Sequence, residues 1–211
     1  MTPLEHVVAI GRILDELGIA WVLGGSLASS IVGEPRSTMD IDVAVQLEVG
    51  RVHDLVAAVC DDYYVSEDMV RDALTNASSF NLIHFGSGMK IDLFSLSDDP
   101  LDVRQLARRQ LVEIEPGTSI WVGAADDQVL RKLRWYRLGG EVSDRQWRDV
   151  VAILQVQGRR IDHQQLLIDA GSLGLADLVA AALSDAGQAP TNSERLGGVG
   201  SEPDWSEDSA P

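Results

Sequence analysis

Asp40 and Asp42 are the residues of this 211-residue chain best placed for chemistry, because they flank Ile41 while Val43 and Val45 continue the alternation. Along a strand successive side chains point to opposite faces, so two carboxylates two positions apart share a face. Like charges held that close repel, and each favours its protonated form unless a cation lies between them. One reading is an exposed strand edge with two solvated acids. The other is a half-buried strand end that presents paired carboxylates to a hard cation, and the alternating Ile41, Val43 and Val45 favour it. Mg²⁺ is the usual ion where carboxylates and phosphates ligate together, with Mn²⁺ the other oxygen-preferring candidate.

Upstream of the acids, Trp21, Val22 and Leu23 form a short apolar strand that runs into Gly24, Gly25 and Ser26. A glycine turn between strand and helix lets the backbone approach a ligand, and the helix start offers unpaired N–H groups to an anion. Ser26 is the candidate N-cap, its hydroxyl able to bond an amide or a phosphate oxygen. Such a turn is common by itself. Followed by Asp40-Ile41-Asp42, which begins fifteen residues after Gly25, it becomes a specific signal. Arg36, just ahead of the acids, either balances their charge or clasps a triphosphate.

The remaining elements read as a scaffold. Leu4, Val7, Val8, Ile10, Ile13, Leu14 and Leu17 recur at helical spacing, with Gly18 as the stop. A second amphipathic helix spans 50–60 with Val52, Leu55, Val56 and Val59 inward, and a short strand follows at 63–65. Residues 79–96 predict a hairpin around Gly86-Ser87-Gly88, whose second strand carries Asp92 between Ile91 and Leu93. As an isolated acid Asp92 is a face residue that Lys90 can neutralise. A helix over 100–110 leads to a hairpin that turns at Pro116-Gly117, and Asp126 or Asp127 is then placed to cap the next helix.

From Gln128 to about Leu183 the period is helical. Val129, Leu133 and Tyr136 make one apolar face with Lys132 at its border, while Arg131, Arg134 and Arg137 stack on another side. The next helix carries Trp147, Val150, Val151 and Leu154, with Asp149 off that stripe. Beyond Ala186 the chain is rich in Gly, Pro, Ser and acids, which predicts disorder. The expected organisation is a domain over 1–123, a helical region over 124–186 and an acidic tail over 187–211.

Composition narrows the classes. A net charge of −16 argues against a general nucleic-acid coat. No apolar run approaches the roughly 20 residues of a membrane span, and the N-terminus lacks a basic start and cleavage site, so the expected location is cytoplasmic. The single cysteine, Cys60, excludes an internal disulfide framework and is expected to be a packed core thiol. His6, His53, His84 and His163 lie far apart without metal-ligand spacing, so a zinc site or histidine-based triad is not expected. No phosphate-binding Gly-Lys-Ser/Thr motif is present.

Gly24-Gly25-Ser26, a helix, then Asp40-Ile41-Asp42 resembles the signature of the DNA polymerase beta-like nucleotidyltransferase superfamily. Arg36-Ser37-Thr38 before Asp40 is similar to the version in abortive-infection (AbiE-type) toxin nucleotidyltransferases. So is the Lys/Arg-rich segment from Arg131, followed by Arg148-Asp149. The resemblance covers roughly residues 19–158. It implies an α/β (α+β) fold in which a small mixed sheet flanked by helices is followed by a helical segment. It further implies that Asp40 and Asp42 hold Mg²⁺, and that Asp92, where the superfamily has its third carboxylate, holds one ion and acts as base. Gly24, Gly25, Ser26, Arg36, Thr38 and Lys132 would contact the nucleotide.

Three functions fit this sequence. The first is a toxin-like nucleotidyltransferase acting on RNA such as tRNA, or on a protein hydroxyl, with a cognate antitoxin as partner. The second is a small-molecule nucleotidyltransferase of the antibiotic-modifying kind, whose acidic surface suits cationic acceptors such as aminoglycosides. The third is a non-catalytic nucleotide-binding module, which the presence of all three acids disfavours.

Overall fold

The computed structural model describes residues 1–188, so the tail read above as disordered lies, from residue 189 on, outside the described residues. Helix α1 (Pro3–Glu16) starts at a capping box: the Glu5 amide donates to Thr2 Oγ1 (3.2 Å), and the Thr2 amide donates to the Glu5 carboxylate (2.6 Å). It ends before Gly18, which takes a positive φ of 65°. Gly11 is small because the Trp21 ring lies where a side chain would go.

Strand β1 (Ala20–Leu23) leads through α2 (Gly25–Val32) to β2 (Ile41–Gln46). Then come α3 (Val52–Val59), β3 (Tyr63–Tyr64), α4 (Glu67–Thr75), β4 (Ser79–His84), β5 (Lys90–Ser95), α5 (Pro100–Ala107), β6 (Gln110–Glu115) and β7 (Thr118–Val122). The strands make one seven-stranded mixed sheet in the order β3-β4-β5-β2-β1-β7-β6. β2 lies at its centre, antiparallel to β1 and parallel to β5. Its period-2 pattern does what the sequence predicts: Ile41, Val43 and Val45 bury into a core with Ile91, Leu93, Phe80, Leu82 and residues of α1, α3 and α4. The alternate residues, Asp42 among them, face the other way.

Helix α2 packs against β2, and the helical region packs in turn on α2 through its first two helices: α6 (Ala125–Leu138), α7 (Asp144–Gln157), α8 (His163–Ser172) and α9 (Ala176–Asp185). These build a second cluster from Val129, Leu133, Val150, Ile153, Leu154, Leu166, Val179 and Leu183. Leu101 of α5 joins this cluster rather than the first, and Val32 of α2 packs against both. No helix among the described residues is long and apolar enough to cross a membrane.

Three local expectations are corrected. Cys60 is exposed, since α3 ends one residue earlier and turns the thiol outward. Neither Asp126 nor Asp127 caps α6, whose N-cap is Ala124 without a side-chain bond. Asp127 instead buries completely and accepts from Arg104 and Arg108, tying α6 to α5. The arginines of α6 are not a free cationic stripe. Arg131 pairs with Asp102 (2.5 Å), Arg134 with Asp99 (2.8 Å), and Arg137 with Asp177 (2.6 Å) and Glu141 (2.9 Å).

Candidate active site

Parallel pairing of β2 with β5 sets Asp42 directly opposite Asp92, and opposed residues in a ladder project to the same face. Asp40 precedes β2 by one residue and is exposed, while Asp42 and Asp92 are half-buried. Burial raises the Asp42 carboxyl above its ordinary pKa, and the charges of Asp92 and Asp40 push it the same way. All three acids line clefts on this face.

The turn before α2 is built around Asp42. The Gly24 amide donates to the Asp42 carbonyl (2.8 Å), which fixes the end of β1 against β2. Gly25 has φ of 60°, and its bare Cα faces the Asp42 carboxylate. The N-cap of α2 is Gly24, not Ser26 as the sequence predicts. Ser26 lies one residue inside the helix, which turns its hydroxyl toward two arginines.

The first is Arg36. Its guanidinium donates through Nε and one terminal nitrogen to the two oxygens of Asp149 (both 2.8 Å), and to Ser26 Oγ (2.5 Å). This bidentate pair makes Asp149 the ion-pair partner of Arg36, while the Asp40 charge acts on the guanidinium only through space. Lys132 of α6 donates to the same Asp149 (2.9 Å) and to Gln146 (3.2 Å). Lys132 and Asp149 are both buried, with side chains 8% exposed. Burial alone would raise the Asp149 carboxyl, but the bonds from Arg36 and Lys132 hold it below the usual carboxylate range. Two cations on one anion leave a net positive charge, and the Lys132 charge acts on Asp42.

The second is Arg145, at the start of α7. Its terminal nitrogen lies 3.5 Å from each of Ser26 Oγ, Thr38 Oγ1 and Asp40. Thr38 Oγ1 also accepts from the Asp40 amide (3.3 Å), which shapes the approach to β2. On β5, Lys90 pairs with Asp92 (2.9 Å). One cleft of about 360 Å³ is lined by Ser26, Asp40, Asp42, Asp92, Arg145 and Gln146. A neighbouring cleft of about 280 Å³ shares Asp40 and Asp92 and is walled by Met39, Ser87, Met89 and Lys90.

The tertiary structure thus gathers every residue singled out in the sequence: Gly24, Gly25, Ser26, Arg36, Thr38, Asp40, Asp42, Asp92 and Lys132. Sequence reasoning missed Asp149, whose position off the apolar stripe of its helix reads as solvated. It also did not place Arg145 in this cleft. The signal available for Asp149 was the adjacent Arg148-Asp149 motif. Among the described residues no three His, Cys, Asp or Glu groups converge tightly enough to hold an ion by themselves. The all-oxygen donor set suits Mg²⁺, which keeps one or two carboxylates and takes further ligands from phosphates and water.

This seven-stranded mixed sheet with its flanking helices is the nucleotidyltransferase fold. The chain aligns with an antigenic nucleotidyltransferase-like protein from Paracoccidioides brasiliensis at a TM-score of 0.52 and 17% identity, over 86% of this chain and 91% of that one. It aligns with the antibiotic-resistance factor ANT(2″)-Ia at a TM-score of 0.50 and 12% identity, over 81% of this chain and 89% of that one. No family model matches the sequence, and no curated protein matches it.

Proposed function

We propose that the protein is a Mg²⁺-dependent nucleotidyltransferase that moves a nucleoside monophosphate from an NTP to an acceptor hydroxyl. The observation that carries this reading is the facing pair Asp42 and Asp92 above the Gly24-Gly25 turn, with cations ranged behind it. A non-catalytic binding module would need no such paired carboxylates, whose mutual repulsion destabilises the folded chain.

The residues divide the work by position. Gly25 and Ser26 present the start of α2 to the phosphates. Arg36 is locked by Asp149 and Lys132, so its bond to Ser26 holds that hydroxyl in one orientation. Arg145 is exposed and only loosely engaged, so it is free to exchange Asp40 for a phosphate oxygen. Asp40, Asp42 and Asp92 would hold the divalent ion, which supplies charge neutralisation for the triphosphate and the attacking oxygen. Asp92 takes the proton of the acceptor hydroxyl. The new P–O bond forms at the α-phosphorus as the bond to the departing pyrophosphate breaks.

For the acceptor, the ion pairing of Arg131, Arg134 and Arg137 supports a small molecule over RNA, because phosphate contacts need free cations. The net charge of −16 suits a cationic hydroxyl compound of the aminoglycoside kind. The toxin reading, with tRNA as acceptor and an antitoxin as partner, retains Arg145 and Arg148 as its cationic contacts. Incubating the purified protein with Mg²⁺, each labelled NTP, and either an aminoglycoside panel or total RNA separates the two. Label in neither, with no pyrophosphate released, would overturn the transferase.

A further inference from the structure

Four residues outside this constellation form a chain of hydrogen bonds. His6 of α1 is fully buried, and both ring nitrogens are engaged: Nδ1 with the Tyr63 hydroxyl (3.2 Å) and Nε2 with Ser87 Oγ (3.2 Å). Ser87 Oγ also lies 3.0 Å from His84 Nδ1, and the Ser87 amide donates to that same nitrogen at 3.0 Å. The His6 and His84 rings meet edge to face with centroids 4.7 Å apart.

The direction of each bond follows from elementary donor counting. A backbone N–H can only donate, so His84 Nδ1 carries a lone pair and its proton sits on Nε2. Ser87 Oγ, beside that lone pair, must point its hydrogen at it. His6 Nε2 must then be the protonated nitrogen and donate to Ser87, and the Tyr63 hydroxyl donates to His6 Nδ1. The arrangement is complete with both imidazoles neutral. A proton on His84 Nδ1 would oppose two donors, and a charge on His6 would be buried against a second ring.

Ser87 and Met89 belong to the turn between β4 and β5, and they wall the smaller cleft beside Asp40 and Asp92. The larger cleft holds Ser26 and Arg145, the phosphate side, so in-line transfer brings the acceptor from the smaller one. We propose that the Tyr63–His6–Ser87–His84 relay is a protonation-sensitive latch that positions the acceptor wall of the site. The catalytic half of this rests on the transferase reading; the latch itself does not. His6 and His84 are positioning residues.

The charged groups facing the relay are few. At and just before α1 these are Glu5 and the Met1 ammonium; just before β3, Asp62 beside Tyr63; on β5, Lys90, which is engaged by Asp92. Burial, then His84 and the Met1 ammonium, lower the His6 pKa, with Glu5 opposing. His6 is therefore held neutral, and a proton forced onto either ring opposes the donors that close the relay, which opens it.

Histidine-ring ¹⁵N spectra and amide exchange on the full chain test the latch. At about pH 8 both rings should carry their proton on Nε2; on acidification, exchange at Ser87 and Met89 should rise about tenfold above its intrinsic pH dependence as the relay opens. Ser87→Ala removes the hub without touching either ring, and should give that faster exchange at both pH values. It should also shift the acid limb of the transfer-rate pH profile while leaving calorimetric MgATP binding unchanged. Rings in the other tautomer, or Ser87 exchange indifferent to acidification, would overturn the latch. A transfer profile identical in Ser87→Ala and the native chain would overturn its coupling to the acceptor wall. Loss of MgATP binding in both proteins at every pH would count against the nucleotide reading instead, with the ring spectra still deciding the latch.

Discussion

The Asp42 carboxylate lies over the bare Cα of Gly25: a Cβ built on that glycine would sit 1.8 Å from Asp42 Oδ2. Gly25 also has φ of 60°, where L side chains are strained. The glycine turn and the acidic strand are therefore one feature, with the turn shaped to admit the acid.

Gly25→Ala should consequently destabilise the protein by about 1–3 kcal/mol and displace Asp42, weakening MgATP binding. Gly24→Ala should be mild. Its backbone is extended, and the nearest atom to an added Cβ, the Asp42 carbonyl oxygen, is 3.7 Å away. Thermal melts and calorimetry of the two variants check the contrast, and equal effects would contradict it.

Asp42→Asn should leave the metal-free protein as stable as the native chain or more so, because it removes a half-buried charge facing Asp92 and Asp40. The sign follows from linkage. With its pKa raised in the folded state, Asp42 binds protons more tightly folded than unfolded, so ionisation costs stability as pH climbs from about 3.8 through the higher folded value. The Asn variant should lose that component, visible as a melting-temperature difference that grows with pH across this window. Divalent-dependent MgATP binding should fall at the same time.

Removing the charge of Asp149 should do the opposite. Asp149→Ala strands Lys132 and Arg36 with no anion between them, and breaking a buried pair typically costs about 3–5 kcal/mol. The partial exposure of Arg36 puts the expectation at the lower end. Because the Asp149 pKa is depressed, its contribution is present above about 3.8 and is lost as pH falls through the lower folded value. Denaturant titration of Asp149→Ala, and of the double variant Lys132→Met with Asp149→Leu, tests this. The double change should cost less than the single one.

Arg145→Ala should leave stability within about 0.5 kcal/mol, since an exposed pair at this distance contributes little. Nucleotide affinity should drop, and its salt dependence should flatten. A variant that binds MgATP as tightly as the native chain would remove Arg145 from the phosphate contacts.

Much of this architecture was legible in the chain itself. The alternation Asp40-Ile41-Asp42-Val43 and the hairpin carrying Asp92 rest on period-2 patterning. The Gly18 stop and the Pro116-Gly117 turn rest on backbone chemistry local to a few residues. The same locality explains the errors. Cys60 closes an apolar run, yet its outward direction depends on where α3 ends. Ser26 has the right chemistry for an N-cap, but the close approach of Asp42 moved the helix start to Gly24.

What the linear pattern could not contain were pairings made across the fold. Asp149 looks solvated on its own helix, and becomes the anchor of the site only when α7 packs on α2 and meets Arg36, 113 positions earlier. His6 and His84 lack metal spacing and are unrelated in the linear pattern, until the fold sets the β4–β5 turn against α1. The arginines of α6 read as a stripe until Asp99, Asp102 and Asp177 arrive from other elements to neutralise them. Local spacing decides which face a side chain occupies. The partner that determines its charge state and its role is set by long-range packing, where a buried group must find its complement or not be buried at all.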